Sequence, residues 1–437
     1  MSFDPAPFQA RRQRLLQTLQ AAGGGVAIIP TAPERVRNRD THYGYRFDSY
    51  FYYLTGFTEP EAVLVLVAGP EARSLLFCRT KDMEREIWDG YRHGPEAARE
   101  QFAFDGAFPI EALTDELPKL LADQPAIFHS LGYDSTWDQT ITSALNQVRA
   151  QARAGVRAPE QVRDVRGLID EMRLIKDETE LALMRRAALI SAGAHQRAMR
   201  ASRPGAWEYE IEAELLHEFR RHGSQAPAYG SIVAGGANAC VLHYVENNCL
   251  LRDGDLLLID AGCELDGYAS DITRTFPVNG RFSGPQKATY ELVLAAQAAA
   301  IAEIRPGASW NAGHEAATRV LAQGFIDLGL LQGSLDGVLE SGSYRQFYMH
   351  RTGHWLGLDV HDAGEYKLNG DWRPLAVGNV LTVEPGCYIR PADGVPEAFW
   401  NIGIRIEDDA LVTPTGSEII TAATPKSVAD IEALMAD

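Results

Sequence analysis

LLLIDAGCELDGYASDITRTF (Leu256–Phe276) reads as two apolar strands, each with an aspartate where a core residue is expected: Asp260 in the first, Asp271 in the second. A carboxylate inside a sheet is costly unless something positive meets it. A turn at Leu265-Asp266 places the two aspartates directly opposite each other; a turn at Asp266-Gly267 makes them diagonal neighbours. Either register leaves their side chains roughly 4.5–8 Å apart on one face. Carboxylates that close repel, and one takes up a proton unless cations intervene. The stretch therefore predicts a positively charged partner.

The pattern occurs twice. LRDGDLLLIDAGC (251–263) is echoed by LAVGNVLTVEPGC (375–387), with Asp260 falling on Glu384. Each copy is followed by a strand with a further acid, Asp271 in the first and Glu407, within IGIRIEDDALV, in the second. A fainter echo links SRPGAW (202–207) to IRPGASW (304–310). Two ordered echoes predict a duplicated half folded about a pseudo-two-fold axis, which brings four acids to its centre. Of eleven histidines, three crowd into MHRTGHWLGLDVHD (His350, His354 and His361), and His243 sits in VLHYVENN. Gly353 and Gly357 argue against a helix there, so the four-residue spacing of His350 and His354 carries little weight. A lone histidine is more often structural than a ligand; four beside acidic strands shift that balance. Oxygen-rich donors with one imidazole suit a hard ion such as Mn²⁺ better than a thiolate zinc site. The expected partner is a pair of divalent cations, able to bring a shared water toward ionisation at neutral pH.

Working outward, 437 residues exceed one ordinary core, and two domains are expected, 1–172 and 173–437. In the first, Arg11–Ala22 has a helical pattern that stops at Gly23-Gly24-Gly25, and Val26–Ile29, Ala62–Val67 and Ser74–Phe77 read as buried strands of an α/β layer. Gln151–Pro159 reads as a linker. Asp177-Glu178-Thr179-Glu180 is a capping box that opens a helix running to about Ser202. A net charge of −18 disfavours nucleic acid as a partner. The N-terminus has no apolar signal region, and no apolar run is long enough to span a bilayer, so a cytoplasmic protein without membrane partners is expected. Cys78, Cys240, Cys249, Cys263 and Cys387 are sparse and odd in number, which predicts reduced, buried structural thiols.

Several motifs together carry a family resemblance: YFYYLTGFTEPEAVLVL and WDGYRHGP in the first part, then LHYVENN, LIDAGCELDGYASDITRTFPV, HWLGLDVHD, LTVEPGCYI and GIRIEDD. Over nearly its whole length the chain resembles the aminopeptidase P members of the pita-bread metallopeptidase family. The resemblance implies an α/β N-terminal domain followed by an α+β pita-bread domain with an internal pseudo-two-fold duplication. It implies two divalent metal ions, most naturally Mn²⁺, held by Asp260, Asp271, His354, Glu384 and Glu407. His243, His350 and His361 fall on the family's substrate-handling histidines, and Arg405 on its active-site arginine. Trp88 resembles a residue that closes the cleft, while Tyr366 and Tyr388 are read as lining a proline pocket or as core aromatics. The implied activity removes the first residue of peptides with proline second. Glu384 would shuttle the proton, and His243 and His361 would donate to the carbonyl oxygen or the leaving nitrogen. The alternatives are a prolidase restricted to Xaa-Pro dipeptides and a non-catalytic partner-binding protein. By the same resemblance the chain is expected to form a dimer or tetramer.

Overall fold

The computed structural model describes residues 3–436. The chain divides into two compact units, Met1–Arg173 and Leu174–Asp437.

The first unit is built on a six-stranded mixed sheet. Its strand order is Gly106–Pro109, Arg73–Cys78, Val63–Ala68, Gly25–Pro30, Ala126–Phe128, Gln161–Arg163. Gly25–Pro30 runs antiparallel to Val63–Ala68 and parallel to Ala126–Phe128. The two central strands are apolar because both faces are covered: Val26, Ile28, Val63 and Val65 on one face and Ala27, Leu64 and Leu66 on the other are fully buried. Each such valine, leucine or isoleucine side chain contributes roughly 1.5–3 kcal/mol relative to exposure. The first helix, Ala6–Ala21, begins five residues before the predicted start. Within it Arg11 and Arg12 are buried, spending their guanidinium hydrogens on the carbonyls of Tyr53, Leu54, Phe102 and Ala103. Residues 151–159 are not a linker. They fold back inside the first unit, where Asp123 and Arg157 exchange backbone and side-chain hydrogen bonds.

In the second unit the helix Glu178–Ala201 starts on the expected capping box: Asp177 accepts from the Thr179 and Glu180 amides, and Glu180 accepts from the Asp177 amide. The strand Leu256–Asp260 lies between Ile232–Gly235 and Thr273–Pro277, antiparallel to both. The chain turns at Asp266 (φ 49°) and Gly267 (φ 84°), the left-handed pair that a tight hairpin requires. This is the later of the two registers. Asp260 pairs with Thr273, and Asp271 lies two residues beyond. Gly262 is obligatory at the crossing, because a Cβ there would lie 1.6 Å from the Ser270 carbonyl oxygen.

The echoed sequence builds an echoed structure. Val380–Val383 pairs with Asp408–Thr413, and the register extended by one step puts Glu384 opposite Glu407. The halves meet through an antiparallel bridge between Thr273 and Glu407. Leu257, Ile259 and Phe276 of one half share a single core with Leu381, Val383 and Ile404 of the other. Behind the bridge, Arg274 is fully buried; it donates to Asp408 Oδ1 (2.7 Å) and to the carbonyls of Thr273, Glu407, Thr424 and Pro425.

Candidate metal centre

The four echoed acids and four histidines converge on one cavity of about 920 Å³ within the second unit. Its lining includes Asp260, Asp271, Glu384, Glu407, His243, His350, His354, His361, Arg405 and Tyr366. Asp260 and Asp271 come from the hairpin of one half, Glu384 and Glu407 from that of the other. His354 comes from the irregular segment between them, as its glycines suggested. Gly353 is needed for that approach, because a Cβ there would lie 2.1 Å from the Thr382 carbonyl oxygen.

One ligand-capable atom each of Asp271, His354 and Glu407 lies within 4.8 Å of the others. His354 donates from Nδ1 to the Trp355 carbonyl (3.0 Å), which leaves Nε2 facing Asp271 (3.5 Å) and Glu384 (3.7 Å). That fixes the tautomer a metal ligand needs. Burial pulls the imidazole pKa down, but Asp271 and Glu384 outweigh it and hold it at about 9. Among the acids, burial raises Asp260, lifts Glu384 to about 7 and takes Glu407 well above its ordinary value, each acid adding to its neighbours' shifts. Asp271 is the exception: burial pushes it up, but the bond to His354 brings it below 3.8. Arg405 offsets one carboxylate by donating to Asp260 (2.6 Å). The surplus of buried negative charge, in a set of four carboxylates and one imidazole, fits divalent cations.

The predicted residues divide by position. His243 and His361 line the cavity with exposed side chains. His350 is half-buried, with Nε2 2.8 Å from the Tyr388 hydroxyl; burial and then Arg405 hold its pKa near 4. Tyr366 lines the cavity and accepts from the Trp355 amide (3.3 Å). Tyr388 does not line it. Its ring is buried behind Arg405, from which its hydroxyl accepts (2.9 Å), so it supports the arginine and is not a pocket wall. Trp88 lies in the first unit, 84% exposed on the helix Met83–Asp89, none of whose residues is buried as a whole. All five cysteines are unpaired; four are buried as expected, but Cys249 is exposed on the loop that carries His243.

Three contributors escaped the sequence reading. The Tyr229 hydroxyl donates to Asp260 Oδ1 (2.6 Å) and to Asp271 Oδ1. Thr273 donates to Glu407 Oε2 (2.7 Å). Asp409 accepts from the Asp271 amide (3.1 Å). Asp409 could have been found: it stands two residues after Glu407, hence on the same strand face. Tyr229 and Thr273 belong to no spacing that would single them out.

Comparison with known proteins agrees with this geometry. The profile of metallopeptidase family M24 matches residues 182–414, and that of the aminopeptidase P N-terminal domain matches residues 8–128. The chain is 46% identical to the Xaa-Pro aminopeptidase of Escherichia coli over 430 residues, covering 98% of this chain and 97% of that protein. It superposes on the Pseudomonas aeruginosa aminopeptidase PepP with a TM-score of 0.98 at 50% identity, covering 100% of this chain and 99% of the other. A zinc-substituted E. coli aminopeptidase P in complex with product superposes with a TM-score of 0.96 at 45% identity, covering 100% and 99%. The chain thus belongs to metallopeptidase family M24, its catalytic fold preceded by an aminopeptidase P N-terminal domain.

Proposed function

We propose that this metallopeptidase is an Xaa-Pro aminopeptidase, removing the first residue of peptides whose second residue is proline. The observation that supports it most is the convergence of four carboxylates and His354 from both halves of a duplicated fold on one peptide-sized cavity. Asp260, Asp271, His354, Glu384 and Glu407 would hold two divalent ions, with Mn²⁺ favoured by the oxygen-rich set. When bound, such ions supply a nucleophilic water at neutral pH and polarise the scissile carbonyl.

The chain's own residues do the rest. Glu384, raised by burial to about 7, can accept a proton and pass it to the leaving proline nitrogen. His243 and His361 stand at the wall of the cavity, able to donate to the carbonyl oxygen as charge develops there. Burial and then His354 lower the His361 pKa, so its neutral form offers one ring N–H. Arg405, fastened between Asp260 and Tyr388, holds Asp260 in place. Proline at the second position carries no amide N–H, so a site that needs none accepts it. The five unpaired thiols suit a reducing compartment such as the cytoplasm.

The test is a matched panel after chelation and Mn²⁺ add-back: an Xaa-Pro-Pro tripeptide, the Xaa-Pro dipeptide and an Xaa-Ala-Pro control. Metal-dependent cleavage of the tripeptide, with the alanine control inert, is expected. Cleavage of the dipeptide alone would make the protein a prolidase, and no cleavage with metal bound would reject the assignment.

A further inference from the structure

Glu208 is a fully buried carboxylate outside the metal centre. It is the first residue of the helix Glu208–Arg221, where the helix dipole favours negative charge. Its four hydrogen bonds all come from uncharged donors. Oε1 accepts from the Gly235 amide (2.8 Å) and Asn238 Nδ2 (2.9 Å); Oε2 accepts from the Tyr244 hydroxyl (2.7 Å) and the Cys249 amide (2.8 Å). These donors bracket His243, two before it in sequence and two after. The His243 imidazole has no hydrogen bond of its own among the described residues, so its place is set by the backbone that carries it.

Other contacts agree. Asn247, buried and in the left-handed conformation (φ 47°), accepts from the Val233 amide (3.0 Å) and donates to the Ser231 carbonyl (2.8 Å). Tyr244, next to His243, packs with Leu258 of the Asp260 strand and with Tyr388. Gly235 lets the carboxylate in: a Cβ there would lie 2.6 Å from Leu251 and 3.4 Å from Glu208 Oε1.

We propose that Glu208 is a positioning residue for His243: its carboxylate gathers the segment 235–249 and fixes where that imidazole enters the cavity. The proposal rests on the reading of His243 as a substrate-handling group. Glutamine at this position keeps the shape but has one acceptor oxygen and an NH₂, so two of the four donors lose their acceptor whichever way the amide turns.

The test uses the full chain loaded with Mn²⁺, an Xaa-Pro-Pro tripeptide, and four proteins: wild type, Glu208→Gln, His243→Ala and the double variant. Thermal melting and metal content are measured on each. Glu208→Gln should lower kcat/KM by roughly 10- to 100-fold, the scale of a misplaced catalytic group, with metal content unchanged. In the His243→Ala background the same change should have an effect within about twofold, because the residue it positions is gone. Should Glu208→Gln not fold, Tyr244→Phe removes a single donor and should give a smaller loss, again absorbed by His243→Ala. The proposal is overturned if Glu208→Gln costs the same factor in both backgrounds, leaves turnover intact, or sheds metal. If wild type cleaves nothing, the functional assignment has failed; if wild type is active and His243→Ala matches it, the His243 role has failed. Either outcome removes the proposal's basis, and the two are told apart.

Discussion

Replacing Tyr229 with phenylalanine deletes one oxygen and leaves the ring. In the structure that oxygen donates to Asp260 (2.6 Å) and reaches Asp271 as well. Burial, then Asp260 and Asp271, push its pKa well above 10, so the hydroxyl keeps its proton throughout the working range. One proton is shared by two acceptors, so the loss counts as a single hydrogen bond to a charged group, about 1.5–3 kcal/mol. At about 1.4 kcal/mol per tenfold, Mn²⁺ binding should weaken by roughly 10- to 100-fold. That is the size expected for a partner that orients metal ligands. Calorimetric titration of the metal-free protein against a competing chelator measures the constant, and rates at saturating metal show whether catalysis survives. An unchanged constant would refute the reasoning. So would tighter binding, which would mean that the hydroxyl chiefly relieves repulsion between the two carboxylates when no ion is there.

Asp260→Ala should abolish activity together with full metal binding; retained turnover with full occupancy would sink the ligand assignment. Gly353→Ala puts a Cβ against the Thr382 carbonyl, while the His354 amide is held 3.0 Å from Thr382 Oγ1. Metal analysis should therefore show the centre depleted, and a fully loaded, active variant would contradict the packing. Asp408→Asn tests a buried ion pair by pH. Burial pushes Asp408 up, but Arg274 and Lys426 outweigh it and leave its carboxyl below 3.8. Its contribution is fully present above the unfolded value of about 3.9 and is lost as pH falls through the lower folded value. Urea melts at neutral pH should show the variant less stable by about 3–5 kcal/mol, and the gap should narrow below about pH 4; a gap independent of pH would exclude the ion pair as its source.

The four acids of the proposed centre were legible because they break a rule. An acid at the end of an apolar strand is an anomaly, and the same anomaly twice in one register points to a shared site. The residues that support those acids obey ordinary rules and stay hidden. Tyr229 is one tyrosine among sixteen, and only the fold brings its hydroxyl to Asp260. Arg11 and Arg12 are charged, yet both are buried against backbone carbonyls that only the fold brings to them. Residues 151–159 have a linker's composition, yet backbone pairing with Asp123 holds them inside the first unit. Cys249 shows the reverse, since it was expected buried and is exposed; of the two readings offered for Tyr388, the core one holds. Register was legible only to within one step, and the left-handed pair Asp266-Gly267 decided it.

The bridge between Thr273 and Glu407 has a consequence for biosynthesis. Tyr229 precedes its two aspartates by only 31 and 42 residues, so all three leave the ribosome close together. Glu407 is 134 residues from Thr273, and Arg405 is 145 from Asp260. A chain made from its N-terminus therefore carries both aspartates for some time before His354, Glu384, Arg405 and Glu407 have been made. During that interval the Tyr229 hydroxyl is already synthesised, and in the finished centre it bonds to both aspartates. Half of the centre is thus laid down, with its own hydrogen-bond donor, well before the half that completes it.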